Sequence, residues 1–432
     1  MRIDQGYGRV LVIAINFLLG CGLLTPWNSL ITAVDFFSAL FPDNDPADAF
    51  AIANFAANLL FLLLQVVWVQ KESAVKASFC FVLSLGVLGY SLFLALAFHD
   101  PFQANLDRGV SESIHFMVLV GCVAISGAAC SGLQPALFSV AGELGPACTA
   151  AFMNGQAFAG ILTCVCRILS KVWFRESEPF EALRLSSALY LSSSLAVVCL
   201  AFIAYFALLR LRKQQQGPAQ YAHGITRDDP LNAFEAESLL HDEEAAGFKQ
   251  SEHAEDVGIA AVWRQMWSSG CGVLVVFWIT LSVFPAVTSR IPAAQSDPDE
   301  WMPVVLITAF NIGDLLGRML AGLLATSLSE LTLWALNVAR IAFIPLLLYL
   351  QQSPSTGGGA PTHNAVAIAS VLLMAASSGF LACAFIIKGQ LRVSGGAARE
   401  AASTLLALTM TTGLALGAVS ALPITQLGSK LV

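Results

Sequence analysis

The sequence predicts an all-α membrane protein with eleven spanning helices, six followed by five. Three observations carry that reading. The 432-residue chain is 56% hydrophobic and only 12% charged, where a soluble domain carries about 25% charged residues. Its apolar residues fall into runs of the ~20 residues a helix needs to cross a bilayer. One long polar stretch, residues 211–264, separates those runs into two groups and holds ten acidic and five basic side chains.

The runs occupy residues 10–38, 50–70, 75–98, 113–141, 147–170 and 184–210, and then 265–290, 302–326, 331–351, 364–388 and 401–427. Arg2 and Arg9 precede the first run as in a secretory leader. The run continues past Cys21 to Phe37 without a small-residue cleavage site, so it is expected to be a retained helix. Residues 1–210, 211–264 and 265–432 are therefore read as a six-helix bundle, a flexible linker and a five-helix bundle.

Lysine and arginine placement sets the orientation. With the N-terminus in the cytosol, thirteen Lys/Arg fall on the cytosolic side and six opposite, while Arg167, Arg318 and Arg340 lie inside helices. An odd helix count then puts the C-terminus outside. No N-x-S/T sequon is present. All ten cysteines sit in apolar runs, so neither a disulfide framework nor a metal site is indicated. Nothing in the sequence requires a cofactor. The net charge of −7 and the lack of a long basic tract argue against a nucleic-acid polymer as partner.

Polar residues within the apolar runs are the functional candidates. In the first run, "LLTPWNSLITAVDFF" places Trp27 after Pro26, which is expected to kink the helix. Trp27 fits either an interfacial belt or a stacking surface for a planar ligand. Asp35, near the outer end, reads as a gate or rim residue. In the fourth run, Gln134 precedes Pro135; its amide can donate and accept at once, or it can serve an interhelical hydrogen bond. Arg167 is expected to snorkel outward from the fifth run. In the seventh, "LSVFPAVTSRI" sets Phe284 and Pro285 at a bend.

In the eighth run, "FNIGDLLGR" contains the only two ionisable side chains between residues 303 and 326. Asn311, Asp314 and Arg318 are spaced three and four apart, so they share one helical face. Asp314 and Arg318 can pair, which lowers the cost of burying them. The pair is either a structural lock or a site for a vicinal diol, which donates and accepts together. Arg340 in the ninth run is expected to pair with an acid or with carbonyls. Small-residue stretches such as "SGAACSG", "NGQAFAG" and "GLALGAVSA" permit close helix approach.

The 6+5 division resembles the major-facilitator plan, in which two halves rock about a midplane site. "PWNSLITA", "LQPALFSVAGELGPACTAAFMNGQAFAG", "VFPAVT", "FNIGDLLGR", "RIAFIPLLL" and "GLALGAV" together resemble the equilibrative nucleoside transporter family, in order along most of the chain. The resemblance implies that Trp27 contacts ligand, Gln134 reads the base edge, and Asp314 and Arg318 hold ribose hydroxyls beside Asn311. It adds Phe284 and Ile31 as apolar wall and Leu414 as a gate or cavity residue. The expected activity is facilitative uniport of nucleosides such as adenosine, inosine or uridine, and of nucleobases, by alternating access. The expected location is the plasma membrane, with the lipid bilayer as surroundings and no obligate protein partner. A proton-coupled symporter using Asp314 or Asp35, a major-facilitator carrier of another solute such as a sugar, and a non-transporting receptor remain the alternatives.

Overall fold

A computed structural model describes residues 7–44, 46–67, 74–98, 106–174, 178–215, 258–292, 301–352 and 360–430. The described chain folds into α1 (Tyr7–Thr32), α2 (Val34–Leu40), α3 (Pro46–Val67), α4 (Ala74–Ala97), α5 (Leu106–Leu144), α6 (Pro146–Trp173) and α7 (Pro179–Gln215). Beyond residue 258 come α8 (Ile259–Val283), α9 (Trp301–Leu324), α10 (Glu330–Ala339), α11 (Phe343–Gln352), α12 (Ala360–Leu391) and α13 (Gly396–Lys430). Ten stretches of described helix are long and apolar enough to cross a membrane. The apolar part of α3, Ala49–Gln65, is shorter, and it accounts for the difference from the eleven runs of the sequence reading.

Several boundaries move. The first run is two helices broken at Ala33, whose backbone is no longer in the regular helical region; Pro26 itself lies within α1. The ninth run divides into α10 and α11 around a 3₁₀ turn at Arg340–Ala342. The seventh ends at Val283, with Phe284 extended as its C-cap. A Phe284–Pro285 cis peptide follows. Helices α7 and α8 reach into the stretch read as linker, to Gln215 and from Ile259. The remainder of that stretch, 216–257, lies outside the described residues.

Apolar side chains point both ways, as a bilayer requires. Met117, Leu323 and Leu331 are exposed on the outer faces, while Phe36, Phe81, Phe138, Phe152 and Phe385 are fully buried between helices. Helices α1, α3, α4, α5, α6 and α7 pack chiefly on one another, and α8, α9, α12 and α13 do the same. The two groups meet where α9 lies on α6 and where α13 lies on α5 and α3. Close approach within each group depends on missing side chains. A Cβ on Gly155 of α6 would collide with the Phe17 carbonyl of α1, and one on Gly317 of α9 with the Ala376 carbonyl of α12. Without a hydrophobic drive between helices in lipid, such close contact is a main source of cohesion.

Candidate functional site

Between the two groups lies a cavity of about 1050 Å³, at the upper end of the range for small-molecule sites. Its wall takes residues from α1 to α6 on one side and from α8, α9, α12 and α13 on the other. Trp27, Ile31, Asp35, Gln134, Phe284, Asn311, Asp314, Arg318 and Leu414 all contribute to it. Arg340 does not.

Helix α9 explains why its charges stand here. Asp314, Gly317, Arg318 and Ala321 share its buried face, while Leu316, Met319, Leu320 and Leu323 cover the opposite, exposed one. Turned to lipid, either charge would be strongly unfavourable. Arg318 donates its Nε to Asp314 Oδ2 at 2.8 Å. It also donates Nη1 to the Met153 carbonyl of α6 at 3.2 Å. Asp314 is 8% and Arg318 6% exposed, so Asp314 relies on Arg318, and Arg318 on Asp314 and that carbonyl, for the solvation each has lost.

One turn toward the start of α9, Asn311 donates to the Ile307 carbonyl at 3.0 Å and to Cys164 Sγ of α6 at 3.3 Å. Gln134 is buried and donates to Met410 Sδ of α13 at 3.5 Å. Sulfur is a weak acceptor, so a ligand carrying oxygen or nitrogen can compete for that amide. Trp27 is half-buried and meets Phe55 edge-on at 5.3 Å. Phe284 stacks on Phe310 at 3.7 Å with an 8° interplanar angle, giving the cavity a flat aromatic wall.

Arg167, expected to snorkel, pairs with the half-exposed Asp35 at 2.5 Å and also lines the cavity. Arg340, 2% exposed, bonds the Val276 carbonyl at 3.1 Å and the Thr280 and Ser377 hydroxyls at 2.6 and 3.1 Å. It ties the α10–α11 break to α8 and α12.

Past Arg318, toward the α5–α6 turn, the two groups are joined again. Gln390 of α12 donates to the Phe138 carbonyl of α5 at 2.8 Å and accepts from the Thr149 hydroxyl of α6 at 2.9 Å. It is 4% exposed. Asn58 of α3 and Thr411 of α13 meet at 3.4 Å at the cavity wall. Sequence reasoning passed over Phe310, Asn58, Thr411, Gln156 and Gln390. Phe310 looks like any core aromatic, and an isolated amide or hydroxyl in an apolar run is usually a helix contact. Asn58 and Gln156 were detectable only as polar exceptions within their runs.

Residues 120–425 match the nucleoside transporter family. Among curated relatives, an Arabidopsis thaliana protein called equilibrative nucleotide transporter 8 is 28% identical, covering 79% of this chain and 77% of that one. The human equilibrative nucleoside transporter 1 is 28% identical, covering 94% of each chain. The mouse equilibrative nucleoside transporter 2 is 25% identical, covering 93% of this chain and 94% of that one. In fold, the chain is similar to the proton:xylose symporter XylE, a major facilitator superfamily protein, with TM-score 0.59, 14% identity and coverage of 99% of this chain and 91% of that one. It is also similar to FucP of the same superfamily in the outward conformation, with TM-score 0.56, 13% identity and 98% coverage of each chain.

Proposed function

This chain belongs to the nucleoside transporter family, as a multi-pass membrane transporter and not an enzyme, and we propose that it carries nucleosides by facilitative uniport through alternating access. The observation that carries the reading is the Asp314–Arg318 pair. It stands on the wall of a cavity between two helix groups, and its guanidinium holds a backbone carbonyl of the opposite group.

A ribose diol has two hydroxyls that each donate and accept. Asp314 supplies an acceptor and Arg318 a forked donor. A flat base has aromatic surface from Trp27 and the Phe284–Phe310 stack, and a polar edge-partner in Gln134. Ile31 and Leu414 complete the apolar wall. Adenosine, inosine and uridine all carry this combination; nucleobases lack the diol and are weaker ligands in this reading.

Residues 1–210 and 265–432 are the bodies that rock, joined by 211–264. With the N-terminus in the cytosol, the Gln390 contacts form a closed cytosolic side, and the cavity belongs to the outward-facing state. Breaking them while the outer ends of the bundles approach gives the inward-facing state. The plasma membrane is the proposed residence.

Uptake of radiolabelled adenosine and uridine into transport-null cells tests the activity. Saturable uptake without substrate-induced current is expected. Absence of uptake for every nucleoside tried overturns the proposal, and an inward current replaces uniport with symport.

A further inference from the structure

Gln156 of α6 lines the cavity, is 3% exposed, and leaves its amide nitrogen with no hydrogen-bond partner. A buried amide donor without an acceptor is rare and unfavourable. Its place along α6 can be read from two contacts. Met153 of α6 meets Arg318 of α9, and Gly160 of α6 faces the Asn311 side chain of α9. Seven residues separate the contacts on each helix and the order is reversed, so α6 and α9 run antiparallel at the cavity wall. Three residues beyond Met153, Gln156 is thus level with Asp314 to within one residue. It is also on the Met153 face, because residues three apart on a helix are neighbours.

Near this level the wall holds the Asp314 carboxylate, the Arg318 guanidinium and the Gln156 amide with a spare donor. Nucleoside hydroxyls bring hydrogens for Asp314 and lone pairs for donors. Arg318 already donates to Asp314 and to Met153, so part of its donor capacity is in use. We infer that the Gln156 amide donates to a sugar hydroxyl held at Asp314, and that it thereby sets the preference for ribonucleosides over deoxynucleosides. This rests on the proposed nucleoside transport and adds a residue and a selectivity to it. Rotation about the last side-chain bond exchanges the amide oxygen and nitrogen, and in this inference it is what turns the donor to the ligand.

The experiment compares inhibition of radiolabelled uridine uptake by adenosine, 2′-deoxyadenosine and 3′-deoxyadenosine, in the wild type and in Gln156→Met. Methionine keeps the length of the side chain and removes the donor. The wild type is expected to favour adenosine. The variant is expected to lose about tenfold in adenosine affinity, the scale of one hydrogen bond, and little for the deoxynucleoside that lacks the contacted hydroxyl. Gln156→Asn, which withdraws the amide by one carbon, is expected to lose the same discrimination; it serves if the methionine variant does not reach the surface. An unchanged ratio between adenosine and both deoxynucleosides in the variants overturns the inference, whether uptake is intact or uniformly reduced. So does a wild type that does not distinguish them. If the wild type transports no nucleoside, the parent reading fails instead.

Discussion

The Arg318 guanidinium joins Asp314 on its own helix to the Met153 carbonyl on another, at 2.8 and 3.2 Å. One side chain therefore serves a candidate ligand site and a contact between the two helix groups. Asp314→Asn keeps the shape and removes the charge. Uptake is expected to fall at least about tenfold, as for loss of one charge-assisted hydrogen bond, while surface expression persists. Normal uptake by this variant would rule out charge recognition of ribose. Asp314→Ala leaves Arg318 buried without its carboxylate; a stability loss of about 3–5 kcal/mol is expected, read as poor surface expression and a lower melting temperature of the purified protein.

Gln390 bridges α12 to α5 and α6 with two hydrogen bonds. Gln390→Leu removes both, a net loss of about 1–3 kcal/mol borne by the state in which they form. Cys148, adjacent to Thr149 and 5% exposed, reports that opening. In a background with the other nine cysteines replaced, Gln390→Leu is expected to speed labelling of Cys148 by an impermeant maleimide in inside-out vesicles about fivefold or more. An unchanged rate removes Gln390 from the closed side of the cycle.

The Asp35–Arg167 pair is more open, with side chains 47% and 30% exposed. Solvent screening holds such pairs to at most about 1 kcal/mol. A double-mutant cycle with Asp35→Asn and Arg167→Gln, read from substrate affinity, is expected to give a coupling of that size that shrinks at high salt. A coupling of several kcal/mol would assign the pair a central part in the cycle.

Gly317 and Ala376 approach so closely that a Cβ cannot be accommodated. Gly317→Val is expected to separate α9 from α12 and carry Asp314 and Arg318 with it. Folded protein should fall sharply, measured as monodisperse yield in detergent. A normal yield with full uptake would show that α9 can shift without loss of the site.

Much of the site was legible in the sequence because lipid penalises polar groups. Asn311, Asp314 and Arg318 stood out as exceptions in an apolar run, and their spacing put them on one face. Trp27, Gln134 and Phe284 stood beside prolines, where helices bend. Asp35 and Arg167 were each noticed but not as a pair, since 132 residues separate them and no local spacing encodes that contact. Gln156 stood out only as one polar exception in its run, because what distinguishes it is an amide nitrogen without a partner. The helix break at Ala33 was equally hidden, as Pro26 is the stronger local breaker and yet stays helical.

By itself the sequence determined the membrane setting, the division into two groups of helices and the face on which the charges lie. These follow from hydropathy, polar linker length and helical period, all of which act over a few turns. Only the tertiary structure decided which groups of the two bundles meet: Arg318 with Met153, Gln134 with Met410, Gln390 with Phe138 and Thr149, while the Gln156 amide nitrogen is left without a partner. Those pairings depend on how two bundles, far apart in sequence, settle against each other. That arrangement is governed by small-residue packing and the pairing of buried polar groups.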